Sequence, residues 1–207
     1  MTTAVEEMRA KVREAKDEVK AKRRKKVWTP PDPGRFRHET ILAMDQTLTH
    51  TGWAVIESTY EGLTLLMADC IDVRTDLVGF EGTFAKAHEM ERRIRGVVGA
   101  TTVVATTVVH EMPAVGGHRT ESSLIGALLI RQVMQQHRGV GVAMVSNLAM
   151  KALLCAPGER DEKKHVKAAV EGLIPKERRN RTRRWNEHVH DAVALGLTHL
   201  YEPEERQ

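Results

Sequence analysis

Apolar and polar positions alternate at strand period early in the chain and at helical period later. Residues 41–47 (ILAMDQT), 51–58 (TGWAVIES) and 63–73 (LTLLMADCIDV) read as three strands, the first two close enough in sequence to form a hairpin. Residues 79–100 carry Phe84, Ala87, Met90 and Ile94 at helical spacing. Residues 102–111 (TVVATTVVHE) are rich in β-branched residues and predict a central strand. A helix at 122–136, a strand at 141–146 and a helix at 147–155 follow, the last stopped by Pro157-Gly158. Further helices are predicted at 161–173, with Asp161 placed to cap, and at 186–201. An antiparallel start followed by strand–helix alternation predicts an α/β fold, a mixed sheet flanked by helices. The stripe Leu124, Ala127, Leu128 and Val133 should pack the 122–136 helix onto that sheet.

The first 38 residues differ in character. Residues 1–26 carry ten Lys/Arg against five Asp/Glu, with Val5, Met8, Val12 and Val19 as scattered apolar positions. They read as a basic arm, helical or disordered, joined by the breaker TPPDPG at 29–34. The expected organisation is therefore arm and linker at 1–38, one domain at 39–202 and a tail at 203–207. No apolar run is long enough to span a bilayer and no export signal is evident, so a cytoplasmic protein is expected. Cys70 and Cys155 read as reduced, buried thiols rather than zinc ligands.

The net charge is +4, but residues 176–184 hold six basic residues against one acid, and with the arm this leaves an acidic body between two basic segments. Such segments suit a polyanion, whose counterions they release. A solvated tail and a solvated loop remain the plain alternative.

Chemistry is concentrated in four positions. Ile41, Ala43 and Asp45 share one strand face, so Asp45 ends a buried apolar run. A carboxylate there is costly unless hydrogen-bonded, paired or bound to a cation. Glu111 ends a parallel-type strand and poses the same problem. His188 and Asp191 lie three apart on one face of a helix that is apolar on several sides, with Val189, Val193, Leu197 and Leu200 in one stripe and Ala192 and Leu195 on another. Three carboxylates and an imidazole form a mostly oxygen-donor set, suited to Mg²⁺ or Mn²⁺. Two such ions about 4 Å apart could activate water and stabilise a leaving oxygen in phosphodiester hydrolysis. Taken singly, each residue also has an ordinary reading as a turn, surface or first-turn polar group.

The motifs carry more. LAMDQTLTHTGWAVI (42–56), VVHEMP (108–113), MKALLCAPGERDEKKHV (150–166) and NEHVHDAVALGLTHL (186–200) resemble, in order, the active-site motifs of the RuvC family of Holliday junction resolvases. The resemblance implies an RNase H-like fold with a five-stranded mixed sheet. It also implies a homodimer, with part of the 122–136 helix stripe in its interface, that sets two active sites on opposed strands of a four-way junction, uses Mg²⁺ and leaves ligatable nicks. It assigns metal ligation to Asp45, Glu111, His188 and Asp191, and phosphate contacts to Lys151 and Lys163, with Lys164 as the neighbouring competitor. An unusual place for a cation, the first turn of a helix, adds weight to Lys163. His188 stands where most relatives have an acid, which favours Mn²⁺; Glu187 is an alternative ligand and His190 points elsewhere. Ala114 stands where many relatives have a stacking aromatic, which bears on junction opening and sequence preference; the DQTLT variant of the first motif and the arm, which lies outside the usual pattern, tilt the origin toward a phage.

Around this centre, the loop 112–121 offers Gly116-Gly117 for mobility and His118 and Arg119 for a backbone phosphate. Arg181, Arg183 and Arg184 in the second basic segment are expected on DNA, and Trp185 in the core. The reading is a structure-selective endonuclease for four-way junctions, flaps or forks. The alternative is a non-catalytic branched-DNA binder on the same fold, for which His188 is the motive. An actin-like ATPase, suggested by Asp45, Thr47, Thr49 and Gly52, would need a second domain that 207 residues do not hold.

Overall fold

A computed structural model describes residues 31–113, 120–155 and 162–201. Within them a six-stranded sheet has the order β5-β4-β1-β2-β3-β6. Its strands are β1 (Thr40–Gln46), β2 (His50–Thr59), β3 (Gly62–Asp72), β4 (Thr107–Glu111), β5 (Gly141–Val145) and β6 (Arg179–Thr182). The first three form an antiparallel meander, β4 joins β1 in parallel, β5 joins β4 in parallel, and β6 joins β3 in parallel. The carboxyl ends of β1, β4 and β5 therefore lie at the same edge as the start of β2 and the end of β3.

Strand alternation divides the core into two layers. On one face Leu42, Met44 and Val55 meet Met90, Ile94 and Val98 of α1 (Gly79–Thr101) and Ile130 and Val133 of α2 (Thr120–Met134). On the other, Ile41, Ala43, Ala54 and Ile56 meet α3 (Asn147–Leu154), α4 (Glu162–Leu173) and α5 (Glu187–Leu200) through Leu154, Val170, Val193 and Leu197. The α5 helix is buried along most of its length, as its several apolar sides predict. Two glycines let it lie close to the sheet. A Cβ on Gly196 would stand 2.6 Å from Ile56 Cδ1, and one on Gly52 would stand 2.0 Å from the His188 carbonyl oxygen.

Several expectations are corrected. The sheet has six strands, because part of the second basic segment adds β6 at the edge. Its backbone pairs with β3 through Leu65, Met67 and Ala68, a role that no side-chain pattern advertises. The strand expected at 102–111 is shortened to Thr107–Glu111, since α1 runs on to Thr101 and the Thr102 N–H bonds back to the Val98 carbonyl. Phe84 does not belong to the core stripe of α1. It is 68% exposed and stacked with the exposed Phe80, while Met90, Ile94 and Val98 make the buried face. In α2 Ala127 and Val133 are buried, but Leu124 and Leu128 are exposed. Trp185 is partly buried against the core, under the Arg179 guanidinium at 4.2 Å. Both cysteines are buried and unbridged. Among the described residues no helix is long and apolar enough to cross a membrane. The basic arm, Asp161, Pro157-Gly158 and most of the 112–121 loop fall outside the described residues.

Candidate active site

The carboxyl edge of β1 and β4 places Asp45 beside Glu111. Parallel register pairs Met44 with His110, so the next residues on both strands are neighbours. Asp45 is 9% exposed. Gln46, fully buried, locks the two strand ends together: its amide donates to the Glu111 carbonyl (2.8 Å) and accepts from the Glu111 N–H (3.1 Å). The Glu111 carboxylate accepts from Asn147 Nδ2 at 3.2 Å, at the start of α3.

The first turn of α5 supplies the other side. Asn186 caps it, accepting from the Val189 N–H at 3.1 Å. That fixes the turn in which His188 Nδ1 meets Asp45 Oδ2 at 3.3 Å. Gly52 allows this approach, because the backbone at His188 and Val189 occupies the space a side chain would take. The Thr-Gly pair of the first motif thus has a steric reason.

Electrostatics tie the four groups together. Burial, and then repulsion from Asp45, push the Asp191 carboxyl up to about 6, against the pull of Lys163 and His188. Burial, with Asp45 adding repulsion, also raises Glu111, opposed by Asn147 and Lys151. The hydrogen bond to Asp45 raises His188, so its imidazolium form is favoured beside that carboxylate. These are the marks of negative groups crowded into a poorly solvated space.

As arranged, no three His, Cys, Asp or Glu side chains among the described residues surround a single point at coordinating distance. The groups stand in electrostatic range instead. Their chemistry fits a hard divalent cation: three carboxylates, two of them raised by burial and by repulsion from Asp45, and one imidazole. Asp45, Glu111, His188 and Asp191 would hold it.

Around this centre the lysines are placed unequally. Lys163, in the first turn of α4, donates to Glu187 Oε2 at 2.9 Å and acts on Asp191 electrostatically. Glu187 is therefore engaged with Lys163, and it is His188 that faces Asp45. Lys163, Lys164 and Lys167 line a groove of about 400 Å³ between α4 and α5, with Glu187, His190 and Asp191 on its other side. Lys151 on α3 is near enough to lower Glu111. His190 is buried against Trp185, with its Nδ1 2.7 Å from the Asn186 carbonyl and its Nε2 3.5 Å from Glu171 Oε1.

In the second basic segment Arg181 and Arg183 are exposed at or beside β6, three strands from β1. Arg184 is also exposed, its side chain 52% accessible, and it is ion-paired with Asp72 and lies 3.6 Å from Asp69. His118 and Arg119 lie outside the described residues. Sequence reasoning missed Gln46 and Asn147. Gln46 was open to detection: alternation puts it on the Leu42 and Met44 face, where a buried amide needs partners.

No protein-family model matches the chain, and no curated protein matches it by sequence. Solved structures do. Thermus thermophilus RuvC, in complex with a Holliday junction, is 19% identical with a TM-score of 0.59, over 78% of this chain and 92% of that one. The fowlpox virus resolvase with its junction DNA is 13% identical with a TM-score of 0.52, over 77% and 97%. The yeast mitochondrial Holliday junction resolvase is 8% identical with a TM-score of 0.51, over 79% and 80%. At these identities the likeness establishes architecture: the chain has the RNase H-like α/β fold of the RuvC-type resolvases.

Proposed function

We propose that this chain is a metal-dependent endonuclease that cuts branched DNA by phosphodiester hydrolysis, four-way junctions first among its substrates. The observation that carries the reading is the meeting of Asp45, Glu111, His188 and Asp191 at one sheet edge, with Glu111 and Asp191 raised by burial and by repulsion from Asp45. The fold likeness to junction resolvases supports the same substrate class. Bound Mg²⁺ or Mn²⁺, as a pair, would supply an activated water and charge stabilisation at the leaving oxygen. Gln46 and Asn147 hold Glu111 in place; His188 orients Asp45; Lys163 and Lys151 meet the phosphate; Lys164 and Lys167 continue the groove along the backbone. Exposed Leu124 and Leu128 on α2, and Val142 and Met144 on the edge strand β5, support a homodimer with a second copy covering apolar surface. The arm and the exposed Arg181 and Arg183 would add salt-sensitive affinity for phosphates.

Product mapping on a synthetic four-way junction, in Mg²⁺ and in Mn²⁺, tests this. Paired symmetric nicks are expected from the wild type and none from Asp45→Asn, which should still bind the junction. Equal nicking by Asp45→Asn would end the assignment. Lys163→Ala is expected to slow single-turnover cutting about 10²-fold with metal affinity little changed, since a lost charge contact to the transition state acts on rate. Unchanged turnover removes Lys163 from the chemistry.

A second reading has an observation of its own. His188 is engaged with Asp45, and no three donors stand at coordinating distance among the described residues. A non-catalytic junction binder on this fold would bind the junction in either ion and leave every strand intact.

A further inference from the structure

Resting on the site proposed above, we infer that His50 is a positioning residue that holds the ring plane of His188. The two imidazoles lie parallel, 7° apart, with centroids separated by 5.2 Å. His188 is thus restrained twice: its edge by the bond from Nδ1 to Asp45 Oδ2 at 3.3 Å, and its face by His50. The edge contact selects which nitrogen meets Asp45. The face contact excludes the tilted orientations that a single hydrogen bond permits.

His50 is itself held from three directions. Its backbone is fixed by Thr47, whose hydroxyl accepts from the His50 N–H at 2.9 Å and donates to the His50 carbonyl at 2.6 Å. Its Nδ1 lies 2.9 Å from Thr49 Oγ1. Its Nε2 lies 3.8 Å from Asp72 Oδ1, the cross-strand partner on β3. Asp72 is in turn anchored: Arg184 clamps its carboxylate and Arg93 Nη1 donates to its carbonyl at 3.1 Å. The chain of contacts runs from the β6–α5 connection across the end of the sheet to the ring of His188. It gives the Arg184–Asp72 ion pair a role at the site. Gly52, two residues beyond His50, keeps the space between β2 and the first turn of α5 free of side chains, so the rings can meet.

Hydrogen-bonding partners that fix the orientation of a ligating histidine govern metal affinity, commonly by about tenfold or more, and a ring that fixes its plane acts on the same orientation. The side chain of His50 is 44% exposed, so its replacement should leave the core intact. The test uses the full chain, with His50→Ala, His50→Phe (which restores a flat face) and Asp72→Asn (which weakens the anchor of His50 together with its pairing to Arg184). Long-range ¹H–¹⁵N spectra of the metal-free proteins report the His188 ring, and Mn²⁺ binding is followed by electron paramagnetic resonance. The expected result is a broadened or shifted His188 ring signal in His50→Ala with about tenfold weaker Mn²⁺ binding, recovery of both in His50→Phe, and a smaller loss in Asp72→Asn. His188 signals and Mn²⁺ affinity identical to wild type in His50→Ala would overturn the inference. Failure of the underlying site is separately visible: wild type and Asp45→Asn would then bind Mn²⁺ alike, while the metal-free ring spectra still judge His50.

Discussion

Asp191→Asn is expected to abolish cutting and, in the same molecule, to raise the thermal stability of the metal-free protein at pH 8. The two effects share one cause. Asp191 is held at about 6 by burial and by the repulsion of Asp45, whereas an unfolded aspartate titrates near 3.8. Between those values the folded state keeps a proton that the unfolded state has lost, so stability falls as pH rises through this window. Well above pH 6 the whole penalty is in force, on the order of 3 kcal/mol for a shift of this size. His188 acts in the same direction. Its raised value means that pairing with Asp45 stabilises fully below the ordinary histidine range and is lost as pH rises through the folded value. Asparagine removes the charge without changing the shape. Its melting temperature should exceed that of wild type by roughly 9 °C at pH 8 in EDTA, and match it near pH 3, where the aspartate is protonated in the folded and the unfolded state alike. Cutting should fall roughly 10³-fold or more, because an amide cannot hold the ion or answer its charge. Scanning calorimetry across pH, with junction cleavage alongside, checks both halves. A variant less stable than wild type at pH 8 would show that the acids are not in repulsion.

Gly52→Ala is the second large effect, and it is steric. A single methyl at this position would stand 2.0 Å from the His188 carbonyl oxygen, 2.2 Å from its carbon and 2.8 Å from the Val189 nitrogen. All three are backbone atoms in the first turn of a buried helix, so no rotamer change relieves them. The amino end of α5 must move off β2, carrying His188 and Asp191 away from Asp45. Overpacking of this kind is expected to destabilise by about 3 kcal/mol, and displacement of two of the four site groups should silence cutting even where the protein still folds. Urea denaturation and junction cleavage measure the two consequences. A stable, active Gly52→Ala protein would mean that α5 does not lie as close to the sheet as described.

Local pattern carried a good deal of this. Strand alternation put Ile41, Ala43 and Asp45 on one face, and the structure places that face under α5. Helical spacing put His188 and Asp191 on one side of a helix that proved buried along most of its length. Where pattern failed, a longer-range force decided. The run 102–111 has strand-like side chains throughout, yet its first residues close α1, because the turn beyond Thr101 bonds back into the helix. The run 179–182 has no apolar alternation, yet it becomes β6, since a strand at a sheet edge needs only backbone partners. Arg184 was indistinguishable by composition from Arg183; only the nearness of Asp69 and Asp72, more than a hundred residues earlier, gives this exposed cation its ion pair.

What sequence alone determined here is the order of most elements and the core faces of β1 and α5, since these follow from residue type and periodicity over a few neighbours; the four candidate site residues came from the resemblance of whole motifs. What tertiary structure decided is the sixth strand, the binding of Glu111 by Gln46 and Asn147, the turning of His188 toward Asp45 while Glu187 goes to Lys163, and the stack of His50 on His188. Those depend on distances between segments far apart in the chain, and hydrogen bonds and charge interactions act through space, where spacing along a sequence carries no information.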